Sequence, residues 1–153
     1  MFKRILVPVD GSEPSLCGLR KAIGLAATNQ ASLVIINVVS EAPLIVGMDG
    51  YVSYGEMAEL MKKAGQEIVG KAAALAREAG VDCESHVVDG GVATASDIIV
   101  EQAAKHACDL IAMGTHGRRG LKRLTLGSDA ELVVRHASVP VLLVKAPSAE
   151  VKA

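Results

Sequence analysis

Glycines and basic side chains are concentrated between Met113 and Ser128, a stretch that reads M-G-T-H-G-R-R-G-L-K-R-L-T-L-G-S. Glycine lets a ligand approach the main chain closely, and the N–H groups at the start of a helix can bind an anion. Because no acidic residue interrupts the stretch, its field favours a phosphate. The pattern of the whole stretch predicts a strand, a loop that exposes its backbone, and a helix that begins near Ser128. The glycines are Gly114, Gly117, Gly120 and Gly127, and the basic residues are Arg118, Arg119, Lys122 and Arg123.

A solvated basic loop that binds nothing is the alternative interpretation of the same stretch, because many α/β proteins carry such loops. Residue chemistry alone leaves both interpretations open. To present a phosphate site, the loop must lie between a buried strand and the first turn of a helix. The remainder of the chain must therefore supply a sheet with helices packed against it.

The composition limits the class of protein. The chain has 153 residues, is 50% hydrophobic and carries a formal net charge of −1, which suits one domain with an aliphatic core. A general nucleic-acid binder would carry a broad basic excess rather than one basic loop, so we expect no nucleic-acid partner. Cys17, Cys83 and Cys108 have no metal-ligand spacing and are expected to be reduced thiols. With no apolar run of about 18 residues and no signal peptide, a cytoplasmic protein without a membrane span is predicted.

Apolar runs alternate with amphipathic segments along the chain, which predicts an α/β fold with a parallel sheet. The mixed pattern of 81–88 places that strand at a sheet edge, and Asn37 is expected to be satisfied near the end of its strand. The segment 41–54 has no period and is expected to be a flap. The predicted strands are 5–9, 33–39, 81–88, 108–113 and 139–144, and the predicted helices run from 12 to about 28, 56 to 79, 94 to about 106 and 130 to 137.

The glycine spacing resembles the nucleotide-binding signature of the universal stress protein family. The resemblance rests on Gly114, two residues, Gly117, nine residues and then Gly127-Ser128, and residues 5–13 and 135–144 are also similar to that family. It implies a single universal stress protein domain over 1–146 with a short tail at 147–153. It further implies a Rossmann-like three-layer sandwich whose five-stranded parallel sheet has the order 3-2-1-4-5. In that order the winding reverses between strands 1 and 4, where open α/β sheets bind ligands.

The resemblance also implies an adenine-nucleotide site in that crevice. ATP is the expected ligand, with ADP, AMP and cyclic AMP as alternatives, and Asp10 would lie near the ribose or a nucleotide-bound Mg²⁺. The residues that the resemblance implies are Pro8, Val9 and Asp10 at the adenosine, Val38 at the adenine, Met113, Gly114, His116 and Gly117 at the ribose and first phosphates, and Gly127 and Ser128 at the outer phosphates.

Asp129 departs from the family pattern, which often has a small or apolar residue after the Gly-Ser pair. A carboxylate in the first turn of a helix interacts favourably with the helix dipole, but it repels a terminal phosphate. The preferred number of phosphates therefore depends on where this side chain points.

No catalytic residues are assigned. The sequence shows no nucleophile elbow, no His and carboxylate pair at short spacing and no metal-ligand cluster. His86 is expected to be solvated, and His106 and His136 to lie in last helical turns. A nucleotide-dependent regulatory protein with an unidentified protein partner is the predicted function, and a slow ATPase or a nucleotide-free dimer are the alternatives. The apolar edge strand 139–144 predicts a homodimer about a two-fold axis.

Overall fold

The structure is a computed structural model that describes residues 1–40, 54–116 and 126–147 of the chain. Several predictions fall outside these ranges. They concern residues 41–53 of the predicted flap and residues 148–153 of the predicted tail. They also concern Gly117 and the basic residues of the glycine stretch. Among the described residues, no helix combines the length and the hydropathy that crossing a bilayer requires.

The described residues form a single sheet of five parallel strands, and helices pack on both of its faces. The strand order is β3-β2-β1-β4-β5, which confirms the predicted order and the predicted α/β class. The strands are β1 (Arg4–Pro8), β2 (Ser32–Ser40), β3 (Cys83–Gly91), β4 (Leu110–Gly114) and β5 (Val141–Val144), and the helices are α1 (Glu13–Asn29), α2 (Tyr54–Glu78), α3 (Ala95–Lys105) and α4 (Ser128–His136).

The central strands are apolar on both faces because each face is covered by a helical layer. Side chains of β1 alternate between two cores: Ile5 and Val7 face α1 and α2, whereas Leu6 faces α3 and α4. This is why β1 reads as a continuous apolar run instead of an alternating pattern. The helical partners in the first core include Leu19, Ala22, Ala26, Val69, Ala72 and Ala73, and those in the second include Ile99, Ala103, Ala130 and Val133.

The starts of α1 and α3 are capped as the sequence predicts. The Ser12 hydroxyl accepts a hydrogen bond from the Ser15 N–H at 3.4 Å, and the Thr94 hydroxyl accepts one from the Asp97 N–H at 3.2 Å. Each bond satisfies a backbone donor that has no partner within its helix. These short-range signals locate the first turns of both helices.

The starts of β3 and β4 lie later in the chain than the apolar pattern predicts. The Val81 N–H donates to the Ala76 carbonyl at 2.9 Å, and the Cys108 N–H donates to the Ala103 carbonyl at 2.9 Å. Both amides therefore close the preceding helix, with Gly80 at φ 72° in the left-handed position that ends α2. Val81 and Cys108 are buried as the pattern requires, but they belong to helix ends and not to strands.

The first helix lies directly against the end of β4 because two glycines leave room for it. A Cβ atom at Gly18 would lie 2.9 Å from the Gly114 nitrogen, and a Cβ atom at Gly114 would lie 2.4 Å from the Pro14 carbonyl oxygen. In both cases the obstacle is backbone, which cannot rotate away as a flexible side chain could. Glycine at both positions is therefore a packing requirement of the fold.

We expect Gly18→Ala to lower the free energy of unfolding by about 1–3 kcal/mol, because the added methyl group forces α1 away from β4. Gly24→Ala is the matched control in the same helix, where an added Cβ meets nothing within 4 Å. The control should raise the free energy of unfolding by up to about 1 kcal/mol, since alanine is the better helix former. Urea denaturation measures both changes, and a stabilised Gly18→Ala variant would contradict the packing argument.

Candidate functional site

The carboxyl ends of β1 and β4 lie side by side at the centre of the sheet. These strands pair in parallel, with Ile5 opposite Leu110 and Leu6 opposite Ile111. The helix after β1 packs on one face of the sheet, and α4, the next described helix after β4, packs on the other face. Neighbouring strands whose connections leave toward opposite faces open a crevice at their carboxyl ends. The fold therefore contains the switch point that the sequence predicted.

Asp10 closes the turn between β1 and α1. Its Oδ1 accepts hydrogen bonds from the Ser12 N–H at 2.9 Å and from the Ser12 hydroxyl at 2.5 Å. The Asp10 N–H donates to the Ser15 hydroxyl at 3.3 Å, and Gly11 follows with φ 81°. The carboxylate is thus held at the first turn of α1, beside the end of β1.

One backbone hydrogen bond joins the end of β4 to the start of α4. The Gly127 N–H donates to the Thr115 carbonyl at 2.9 Å, and a Cβ atom at Gly127 would lie 3.0 Å from that oxygen and 3.3 Å from the His116 Cα. Gly127 has φ −63°, a value that any residue adopts. The close approach of the two chain segments leaves little space for a side chain at this position. The Thr115 hydroxyl and Nδ1 of His116 are 3.0 Å apart.

The first turn of α4 combines amide donors with acidic side chains. Gly127 is the N-cap, and Ser128 is the first helical residue rather than the cap. Asp129 and Glu131 both lie in this turn and are exposed, and Glu131 accepts a hydrogen bond from Arg135 Nη2 at 2.9 Å. Asp129 is therefore accompanied by a second carboxylate, which the sequence prediction did not consider.

Several predicted site residues can offer only their main chain to a ligand. The side chains of Val9 and Met113 are packed into opposite cores, with 3% and 6% of each residue exposed. Val38 is half-buried against the core of α3 and α4, and it lies beyond Ile36, the β2 residue that pairs with Pro8. Such residues can contact the adenosine part of a ligand through their backbone.

Asn37 ties the end of β1 to β2. The side chain is buried, and its Nδ2 donates to the Val9 carbonyl at 2.8 Å, which confirms that this polar residue is satisfied near the end of its strand. A Cβ atom at Gly65 of α2 would lie 2.6 Å from the Asn37 Oδ1, so α2 packs tightly over the amide. This bond holds the backbone that leads into Asp10.

A second polar cluster lies where the sequence predicted none. Glu84 of β3 accepts a hydrogen bond from Arg4, and its Oε1 lies 3.0 Å from Nδ1 of His106 and 3.7 Å from Nε2 of His86. The structure thus brings His86 and His106 to one carboxylate, a juxtaposition that the sequence pattern did not predict. Glu84 and His86 are two residues apart on one strand, so the sequence could have predicted that they lie on the same face of the sheet. The approach of His106 depends on the tertiary fold.

Positively charged neighbours keep the carboxyl group of Glu84 ionised. Burial raises the pKa of its carboxyl group, but the Arg4 guanidinium and the two imidazoles favour the charged form more strongly, so the pKa lies below its ordinary value. By contrast, burial raises the pKa of the nearby Cys108 thiol to about 11, which keeps that thiol protonated at neutral pH.

A parallel sheet that is covered by helices on both faces and has a switch point between its central strands defines an α/β protein of the doubly wound class. The chain belongs to the Universal stress protein family, whose model matches residues 1–145. A universal stress protein of Methanocaldococcus jannaschii is 41% identical over 150 residues, which cover 98% of this chain and 86% of that relative. The family that the sequence resembled is thereby confirmed.

Solved structures show the same fold. A universal stress protein family member from Burkholderia pseudomallei matches with a TM-score of 0.76 at 28% identity, over 93% of this chain and 95% of that chain. A universal stress protein in complex with cAMP matches with a TM-score of 0.68 at 26% identity, over 95% of this chain and 98% of that chain.

Proposed function

We propose that this protein binds an adenine nucleotide, with ATP as the preferred ligand, in the crevice between the ends of β1 and β4. The hydrogen bond from Gly127 to Thr115 carries the proposal, because it sets the start of α4 beside the end of β4. Amide groups at a helix start favour the negative charge of a phosphate. The relative solved with cAMP supports an adenine nucleotide as the ligand class.

The proposed ligand lies along the two strand ends. Main-chain groups of Pro8, Val9 and Val38 would contact the adenosine, and Met113, Gly114, His116 and Gly117 would follow the ribose and first phosphates. Gly127, Ser128 and the amides behind them would face the outer phosphates, close to Asp129. These roles are the ones that the resemblance to the family implies.

Magnesium fits this arrangement as a companion of the nucleotide. Mg²⁺ is commonly held by one or two carboxylates together with phosphate oxygens. Asp10 is a carboxylate fixed by Ser12 at the mouth of the crevice, so it would supply the protein ligand. Bound magnesium would neutralise part of the phosphate charge.

A regulatory role follows from the chemistry of the crevice. We assign no catalytic residues, and we propose that the bound nucleotide changes how the protein interacts with an unidentified partner. Slow hydrolysis of ATP with a metal at Asp10 is the enzymatic alternative, and release of phosphate during the binding experiment would reveal it.

Nucleotide-depleted protein should bind ATP in a calorimetric titration with Mg²⁺, and Gly127→Val should weaken that binding at least about tenfold. The valine side chain would collide with Thr115 and His116, whose backbone lies within 3.3 Å of the added Cβ. Gly70→Val is the matched control, because an added Cβ at this exposed position of α2 meets nothing within 4 Å.

Thermal melts of both variants establish that they are folded. No response of the unmodified protein to millimolar ATP, ADP, AMP or cAMP would overturn the proposal. The nucleotide-free dimer would then be the better description.

Asp129→Val should tighten ATP more than AMP, because Coulomb repulsion acts mainly on the outer phosphates. Glu131→Gln is the comparison variant in the same helical turn, and its effect should be smaller because Arg135 already compensates the Glu131 charge. Competition titrations with both nucleotides measure the ratio. Equal changes for ATP and AMP would show that the Asp129 carboxylate does not face the phosphates.

A homodimer through β5 is also proposed. The strand lies at the sheet edge, where an apolar strand invites pairing with another chain. Val141 and Leu143 pack into the core of α3 and α4, whereas Leu142 is on the other face and is 37% exposed. Pairing of β5 with its own copy would bury Leu142 and satisfy both edges about one two-fold axis.

Replacement of Leu142 and Val144 by Lys should convert the dimer into a monomer, because paired edges would bring like charges together in an apolar interface. Val92→Lys is the control, since Val92 is 77% exposed and lies in the turn between β3 and α3. Sedimentation velocity at tens of micromolar measures the state. Monomeric unmodified protein would contradict the proposed dimer.

A further inference from the structure

We propose that Glu84, His86 and His106 form a binding site for a divalent transition metal, for which Zn²⁺ is the fitting ion. The site lies on the edge strand β3 and at the end of α3, and it is independent of the nucleotide crevice. Its ligand set would be two imidazole nitrogens and one carboxylate oxygen, a combination that suits Zn²⁺ and related borderline metals.

The spacing of the ligand atoms carries the proposal. One ligand atom from each of the three residues lies within 4.8 Å of the other two, and Glu84 Oε1 is 3.0 Å from His106 Nδ1 and 3.7 Å from His86 Nε2. A tetrahedral centre with metal–ligand distances of about 2.1 Å places its ligand atoms about 3.4 Å apart. The observed distances bracket this value, so small side-chain rotations bring the three atoms to a common ion.

His86 supplies a second observation. Its Nε2 is shielded from solvent and has no hydrogen-bond partner among the described residues. A buried nitrogen without a partner costs free energy, which a metal bond would recover. The nitrogen lies 3.7 Å from Glu84 Oε1, and the ring centroids of His86 and His106 are 4.9 Å apart.

Access and charge are compatible with an ion. The side chains of Glu84 and His86 are 40% and 41% exposed, so an ion can enter from solvent, whereas His106 is 16% exposed and forms the floor. Arg4 donates to the same Oε1 of Glu84, and the two lone pairs of that oxygen allow it to accept this hydrogen bond and to bind an ion. The guanidinium charge repels a cation, which lowers the expected affinity.

The experiment is a calorimetric titration of the unmodified protein with Zn²⁺ at neutral pH, in the absence of nucleotide. We expect one Zn²⁺ per chain at this site, and His86→Gln should weaken its binding at least about tenfold because a ligand is lost. Nε2 of His86 has no hydrogen-bond partner among the described residues, so this variant should fold normally. His106→Gln should have the same effect.

His136→Gln and Cys83→Ser are the controls. His136 is exposed on α4, and Cys83 precedes Glu84, so they test adventitious binding by another imidazole or by a neighbouring thiol. Both should bind Zn²⁺ as the unmodified protein does, and a Co²⁺ complex should show no thiolate-to-cobalt charge-transfer band. Absence of Zn²⁺ binding, unchanged affinity in His86→Gln, or a thiolate band would each overturn the proposal.

Discussion

The contact between α1 and the end of β4 is the constraint on which the crevice depends. Gly18 and Gly114 bring backbone against backbone, and Pro14 occupies the space that a side chain at Gly114 would need. This contact places the turn containing Asp10 beside the last residues of β4 and leaves no room to displace either. The glycine at the end of β4 therefore serves the packing of the fold before it serves any ligand.

The crevice presents main chain more than side chains. Val9 and Met113 are committed to the cores, and the joint between Gly127 and Thr115 is a backbone hydrogen bond. Among the described residues, such a surface suits the shape and the phosphate charge of the proposed ligand. The carboxylates of Asp129 and Glu131 set an electrostatic limit on the charge that the helix start accepts.

β1 links the two ends of the molecule. Its first residue, Arg4, contacts Glu84 in the histidine cluster, and the chain after its last residue forms the Asp10 turn. The three central residues of this strand, Ile5, Leu6 and Val7, are fully buried in the two cores. The proposed metal site and the proposed nucleotide site are therefore anchored to the same rigid element, at opposite ends of it.

Local patterns in the sequence determined the alternation of strands and helices and the caps at Ser12 and Thr94, and the resemblance to the family implied the sheet order. These features depend on neighbours close in the chain or on a motif that is read directly. Tertiary structure decided the rest: Val81 and Cys108 close helices although their apolar character matches a strand, and His106 meets Glu84 across 22 positions of the chain. Periodicity reports that a residue is buried, but it does not report which partner buries it, because that depends on the path of the whole chain.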